Sequence, residues 1–419
     1  MASEILQLSN IISSSVHDLL ELSKTNNRSL PVLNESFAPN KDVFRENPEA
    51  SLATAKIIAA SVQLATTLMP PGEAILAFIA PSSKAAALRV CLECNVPEIL
   101  REAGPQGLHV MDITQKSGSK VDSDKLTRVM RSLANSHVFC EVKPDVFAHT
   151  MHSSVLDTGK HIEEILENPE AKHDGTRGFA AFYEYAFDDF AKASTVLVEN
   201  MIDPKTAFSD SPVHAPIQRA FKHNLTLYEW YELPENAYRR CRFGIGMMGV
   251  AAMRGNEILS EFDWTVFPKG LVVVDVSGGF GASAKFLATH APHVNIIIQD
   301  KPEVAAAGMQ AWQGHSSDPL ESKRVIFQSH DFFDPQPVKQ PAGFILKNII
   351  HNWGDSYSLK ILTHLRAAAS PDTKLFIAGV ILQYLCPSSN DSESAPEPLL
   401  PSYGAHGEHQ YMLDIISNA

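Results

Sequence analysis

Three places in the sequence combine residue types that could do chemistry together. The first is Val274-Asp275-Val276-Ser277-Gly278-Gly279-Phe280-Gly281, an apolar run that breaks into glycines before a helical stretch. Glycines at a strand-to-helix turn let the backbone approach a ligand closely, in the crevice at the carboxyl ends of a sheet's strands. The second is Gln299-Asp300, which ends the next apolar run. A carboxylate there can accept hydrogen bonds from two ribose hydroxyls, so the pair reads as a nucleoside-binding site. The third is His351, in Ile349-Ile350-His351-Asn352-Trp353-Gly354-Asp355, which follows a later apolar run at the same open edge. A histidine titrates near neutral pH and can take a proton from a hydroxyl. A lone histidine beside an apolar strand is more often structural, and it is the motif around this one that favours chemistry.

The nucleoside pattern leaves two cofactors open. Gly279-Phe280-Gly281 with Ala284 fits the dinucleotide pattern G-x-G-x-x-A. Against it stands Ser329-His330-Asp331-Phe332-Phe333 after the third run, where an acid followed by an aromatic can bond an adenine amino group and cover the ring. That arrangement, in a domain placed behind a helical one, favours S-adenosylmethionine (SAM). The plainer alternative makes Asp331 a helix cap and Phe332 a core residue.

The elements that must position these residues are short β runs separated by helices. They are Leu271 to Val276, Val294 to Gln299, Val325 to Gln328, Gly343 to Ile350 and Lys374 to Leu382. Nearly continuous apolar strands alternating with helices predict an α/β, Rossmann-like, doubly wound parallel sheet. Upstream, Leu52 to Leu68 and Lys84 to Glu102 read as packed helices. A helix over Ser123 to Asn135 and β runs around Val138 to Val142 and Val146 to His149 follow, in the order of a winged helix. From Phe179 to Met253 the chain is helical and aromatic. The domain reading is a flexible segment over 1–50, a helical dimerisation and substrate domain over 51–255, and a catalytic domain over 256–419. The Pro/Ser/acidic stretch 386–402 reads as a mobile loop.

At 419 residues the chain is longer than one core usually grows, which agrees with two domains. Its net charge of -13 offers no stripe for a phosphate backbone, so a small-molecule substrate is expected and nucleic acid is not. Uninterrupted apolar stretches such as Ala74 to Ala80 fall short of a bilayer, and no secretory signal is evident at the start, so a cytoplasmic protein away from membranes is expected. Five cysteines over a long chain suit a reducing compartment. Cys91 and Cys94 lack a second ligand pair at zinc spacing, so no metal is expected.

Taken in order, VVDVSGGFG, IIQDKPEV, SHDFFDPQP and ILKNIIHNWGD resemble the plant and fungal O-methyltransferase family, and EILREAGPQGL, VFAHTMHSSVLDTGK and FGIGMMG resemble its fungal branch. The resemblance implies that Gly278, Gly279 and Gly281 line the methionine side of SAM, that Asp300 holds the ribose, and that Asp331 and Phe332 hold the adenine. It implies that His351 is the general base and that Lys347 lies near the SAM carboxylate or the substrate. It also implies a homodimer with interlocked helices.

Three positions depart from the family. Asn352 stands where an Asp is usual, and Gly379 stands where the fifth strand usually carries an acid that orients the histidine. Relatives also continue past Tyr411-Met412-Leu413-Asp414 with a helix and an antiparallel strand pair, so the C-terminal strands are expected to be missing from this sheet. Some fungal members keep the SAM pocket and catalyse dehydration or pericyclic closures, with a cation on the substrate carbonyl. Lys347 matches that cation, so such a pericyclase is the alternative to methyl transfer.

Overall fold

The computed structural model describes residues 3–37, 47–118, 121–254, 257–313, 317–382, 384–386, 395–408, 411–412 and 415. The chain divides into two compact units, Met1–Lys192 with Leu382–Leu413, and Ala193–Ile381 with the last few residues.

The first unit opens on α1 (Glu4–Thr25) and α2 (Pro48–Leu68). Ser3 caps α1 by accepting from the Leu6 N–H, and Asn47 caps α2 through Ala50. The expected flexible segment is therefore a 22-residue helix over much of its length. Leu8 buries against Ala59 and Ala60 of α2, with Ile11 and Ile12 beside it, because apolar residues recur at helical spacing. Ala395 and Leu399 join that cluster, and Gln63 donates to the Pro398 carbonyl at 2.9 Å. The part of the expected mobile loop over 395–402 is thus packed; residues 387–394 lie outside the described residues.

Next come α3 (Ala80–Glu93) and α4 (Val96–Ala103), which split the single helix expected over Lys84 to Glu102. Asn95 adopts φ 52 between them and Pro97 sits in the first turn of α4, so the helix cannot run through. After them come β1 (Leu108–His109), α5 (Val110–Lys116), α6 (Ser123–Ala134), β2 (Phe139–Lys143) and β3 (Val146–His149). The three strands form an antiparallel sheet in the order β1-β3-β2. Cys91 and Cys94 are free thiols buried in this core. On the exposed surface, Glu102, His161 and Glu163 bring candidate ligand atoms within 4.8 Å, and Glu102 there already accepts from His161 and from the Ile162 N–H.

Two helical stretches, Pro48–Leu68 and Pro71–Glu93, are long and apolar enough to cross a membrane by length and composition, although 22% and 17% of their apolar windows are buried. Scattered Ser, Thr, Gln and Lys residues break their apolar runs without making the helices polar, so length of uninterrupted run does not reveal them.

In the second unit, α7 (Leu227–Tyr231) and α8 (Ala237–Arg254) precede the sheet. The sheet and its helices are β4 (Val272–Val276), α9 (Ala282–His290), β5 (Asn295–Asp300), α10 (Pro302–Gln313), β6 (Val325–Ser329), β7 (Gly343–Lys347), α11 (Asp355–Ala368) and β8 (Lys374–Ala378). The five strands are parallel in the order β6-β5-β4-β7-β8, with Val273, Val274, Ile296, Ile298, Phe344 and Leu346 buried between helical layers. The order reverses at β4, so the turns after β4 and β7 open at the switch point where α/β sheets bind ligands. The fold class expected from the sequence is the one found. The unit boundary is not: residues 193–253 pack with the sheet, and Phe182, Tyr183 and Phe187 of the same aromatic stretch stay with the first unit. Of the expected Tyr411–Asp414 helix, Leu413 and Asp414 lie outside the described residues.

Candidate functional site

After β4 the backbone turns sharply: Ser277 has φ 54, Gly279 φ 57 and Gly281 φ 75. The three glycines are needed for different reasons. A Cβ on Gly278 would lie 2.6 Å from the Asp275 carboxyl, and one on Gly281 would lie 2.7 Å from Ile298 and 3.1 Å from the Trp312 ring nitrogen. A Cβ on Gly279 would meet nothing within 4 Å, so this residue faces open space and needs glycine for its positive φ.

The turn is fastened to the end of β5. The Gly278 N–H donates to the Gln299 carbonyl at 3.0 Å, and the Gly279 N–H donates to Asp300 Oδ2 at 2.8 Å. Ser277 Oγ donates to the same oxygen at 3.4 Å, and the Lys301 N–H reaches Asp300 Oδ1 at 2.8 Å. Burial pushes the Asp300 carboxyl above its usual range, and these donors act against that push. Gly279 and Asp300 are thus joined by a direct hydrogen bond.

Two supports of this turn were not legible as site residues. Trp312 of α10 is fully buried and donates from its ring N–H to the Phe280 carbonyl at 2.9 Å. Behind β5, Gln299 Nε2 donates to Gln328 and to Gln336, each at 2.8 Å, and Gln336 returns a bond at 2.9 Å. Nothing in their spacing marked them, because each reaches its partner across the fold.

Asp275, one turn beneath the glycines, is 1% exposed and its Oδ2 has no hydrogen-bond partner. Burial raises its pKa to about 7, opposed by the charge of Lys347 and reinforced by that of Asp300. Lys347 ends β7, in register with Ala378 of β8, and its charge reaches toward the β4 turn.

After β6, Asp331 is exposed and accepts from the Phe333 N–H at 2.8 Å, which makes it a turn cap. Phe332 packs edge-on to Phe333 and Trp353, with ring centroids at 4.8 and 5.6 Å. The capping and packing alternative is therefore realised in the described structure.

His351 lies exposed in a short 3₁₀ turn, Ile350–Asn352, just past β7. The following loop is pinned from upstream: the Ser356 N–H donates to Asp210 Oδ2 at 3.3 Å, and a Cβ on Gly354 would meet Asp210 at 2.6 Å. Asn352 donates from its amide to the Asn348 carbonyl at 3.4 Å. Gly379, just past β8, has open space around its α-carbon and no carboxylate to offer.

In the same unit, Phe221, Trp230, Tyr231 and Phe243 form a ring cluster with centroid spacings of 4.5 to 5.3 Å, and Tyr228 stands 6.3 Å from Phe243.

Comparisons with known proteins agree on a family. The O-methyltransferase domain model matches residues 210–395. A curated relative, 4-O-methyltransferase 1 of Phanerochaete chrysosporium, is 40% identical across 99% of this chain and 90% of its own length. Among solved structures, one titled a pericyclic reaction enzyme aligns with TM-score 0.64 at 16% identity, over 90% of this chain and 88% of that one. Another, mitomycin 7-O-methyltransferase, aligns with TM-score 0.61 at 19% identity, over 83% and 87%. The two titles name different reactions on one fold, so the fold does not choose between them.

Proposed function

The chain belongs to the O-methyltransferase family, and on that premise we propose that it transfers a methyl group from SAM to a hydroxyl of an aromatic or polyketide-type metabolite. The observation that carries the cofactor reading is the bond from the Gly279 N–H to Asp300 Oδ2, beside a glycine face open to a ligand. Gly278 and Gly281 keep the turn close to its supports, Gly279 lets a methionine chain approach the backbone, and Asp300 offers its remaining lone pairs to ribose hydroxyls. Asp331 and Phe332 stand at the end of β6, where the adenine would lie: one carboxylate oxygen caps the turn and the ring is half-buried. Lys347 serves the cofactor side, because its charge bears on Asp275 beneath the turn.

Bound SAM supplies an electrophilic methyl group on a sulfonium. His351 accepts the hydroxyl proton, the substrate oxygen forms the new O–CH₃ bond, and the S–CH₃ electron pair returns to sulfur. The rings from Phe221 to Phe243 pack on one another, with Trp230 and Tyr231 buried, and so form an aromatic core in the same unit. Calorimetry tests the cofactor reading. S-adenosylhomocysteine should bind and NADH should not; the reverse would return the site to the dinucleotide pattern.

Gly379 favours a second reading, because it offers no carboxylate at the position where the resemblance expects an acid that orients the histidine. A pericyclic closure needs no base at the bond-forming step and could use Lys347 on a substrate carbonyl.

A homodimer belongs to the same proposal. Along α2 and the stretch after it, Val62, Leu68, Ile75, Phe78 and Ile79 are exposed, Phe78 by 78%. Exposed apolar surface of this extent suits a second copy. Light scattering at micromolar protein should give twice the chain mass, and a monomer that floats with lipid vesicles would assign those helices to a membrane.

A further inference from the structure

Lys301 has no part in the reading so far, yet it stands between the ribose carboxylate and the aromatic helices. It follows Asp300 directly and donates its N–H to that carboxylate. Its ammonium lies 5.5 Å from the ring centroid of Tyr228, within the range at which a cation is drawn to a ring face. The next residue, Glu229, is fixed in a capping box: its carboxylate accepts from the Thr226 N–H and hydroxyl, both at 2.8 Å. Those bonds hold Glu229 below the usual carboxylate range, with a smaller contribution from the Lys301 charge. Two neighbouring residues of α7 therefore respond to one ammonium. Tyr228 is in turn close enough to Asp300 for that charge to add to burial in pushing its phenol up to about 12, so it stands beside the carboxylate as a neutral hydroxyl.

We infer that Lys301 is a positioning residue whose ammonium draws the Tyr228 ring against the Asp300 loop, making Tyr228 a wall of the ribose subsite. The one-turn helix that carries Tyr228 is too short to hold itself in place, and the Lys301–Tyr228 contact ties it to the residue that follows β5. Binding of the nucleoside is thereby coupled to the helix that also contributes Trp230 and Tyr231 to the ring cluster. The inference rests on the SAM reading of the glycine turn.

The test is calorimetry with S-adenosylhomocysteine on the full chain, comparing wild type with Lys301→Met, Lys301→Arg, Tyr228→Phe and Tyr228→Ala. Lys301→Met should bind about tenfold more weakly, and Tyr228→Ala about as weakly. Lys301→Arg and Tyr228→Phe, which keep a cation and a ring, should stay within about threefold of wild type. The double variant Lys301→Met/Tyr228→Ala should be no weaker than either single one, because both remove the same contact. In turnover, the loss should fall on KM for SAM rather than on kcat. Equal binding by Lys301→Met and wild type, no rescue by Arg, or losses that multiply in the double variant would overturn the inference. If wild type itself fails to bind, the SAM reading fails instead. Thermal melts of each variant separate misfolding from lost contact, and if Lys301→Met does not fold, the two Tyr228 variants decide the matter.

Discussion

The turn after β4 and the turn after β7 share one edge of the sheet and are built in opposite ways. Around the first, the Gly278 and Gly279 N–H groups and the Phe280 carbonyl have partners, and buried Asp275 and Trp312 leave no room for a side chain at Gly278 and Gly281. Around the second, His351 is exposed, Asn352 bonds back to its own loop, and Gly379 leaves space where a partner could stand. The first is fixed by its own backbone bonds and close contacts, and the second is held by ring packing of Trp353 and by Asp210 against Gly354 and Ser356. On the proposed function the first turn serves nucleoside binding and the second serves the chemistry, so substitutions should separate the two.

That contrast breaks most visibly at the histidine. Replacing His351 with Ala should lower kcat by on the order of 10²–10⁴ while S-adenosylhomocysteine binds as before, as measured by turnover and calorimetry. If affinity falls with kcat, the two turns are not separate in function.

The next effect lies under the first turn. The carboxyl of Asp275 is raised from 3.8 to about 7 in the folded chain, so the folded state holds a proton that the unfolded chain has released. Stability should therefore fall as pH rises from about 4 to about 7 and then level off, by an amount on the order of a few kcal/mol. Asp275→Asn should flatten this dependence in melting curves recorded between those limits. A wild type that gains stability over the same range would remove Asp275 as an unpaired buried acid.

A smaller loss is expected at the ribose carboxylate. Asp300→Ala should weaken SAM by about 1–3 kcal/mol, as charge-assisted hydrogen bonds are lost, and calorimetry would record it. The smallest effect sharpens the comparison from the other side. Gly379→Glu adds a side chain where a Cβ meets nothing within 4 Å, and should raise methyl-transfer kcat by about threefold if a carboxylate at this position orients His351. No gain, with the fold intact, would mean that the histidine does not need that carboxylate.

The same contrast explains what the sequence disclosed. Local rules were enough for the parallel strands, the glycine turn and Asp300, because apolar runs, positive φ and a strand-end acid leave signatures in adjacent residues. Trp312, Gln336 and Asp210 act on the site from distant parts of the chain, and their residue types carry no local mark. Asp331 shows how a residue proposed for a ligand can also have a structural role, since one oxygen caps a turn in any case. The division of the aromatic stretch at Lys192 followed packing, which helical periodicity does not encode. The helix Glu4–Thr25 carries its Ser3 cap and apolar spacing in adjacent residues, so it too is marked locally.

Incubation with a panel of phenolic and pyridone metabolites, with and without SAM, followed by product mass, tests the central claim most directly. A product heavier by one methyl group, formed only with SAM and lost in His351→Ala, is the expected result. A product of unchanged mass, formed as well by His351→Ala and lost in Lys347→Ala, would contradict methyl transfer and assign the second turn to a pericyclic closure.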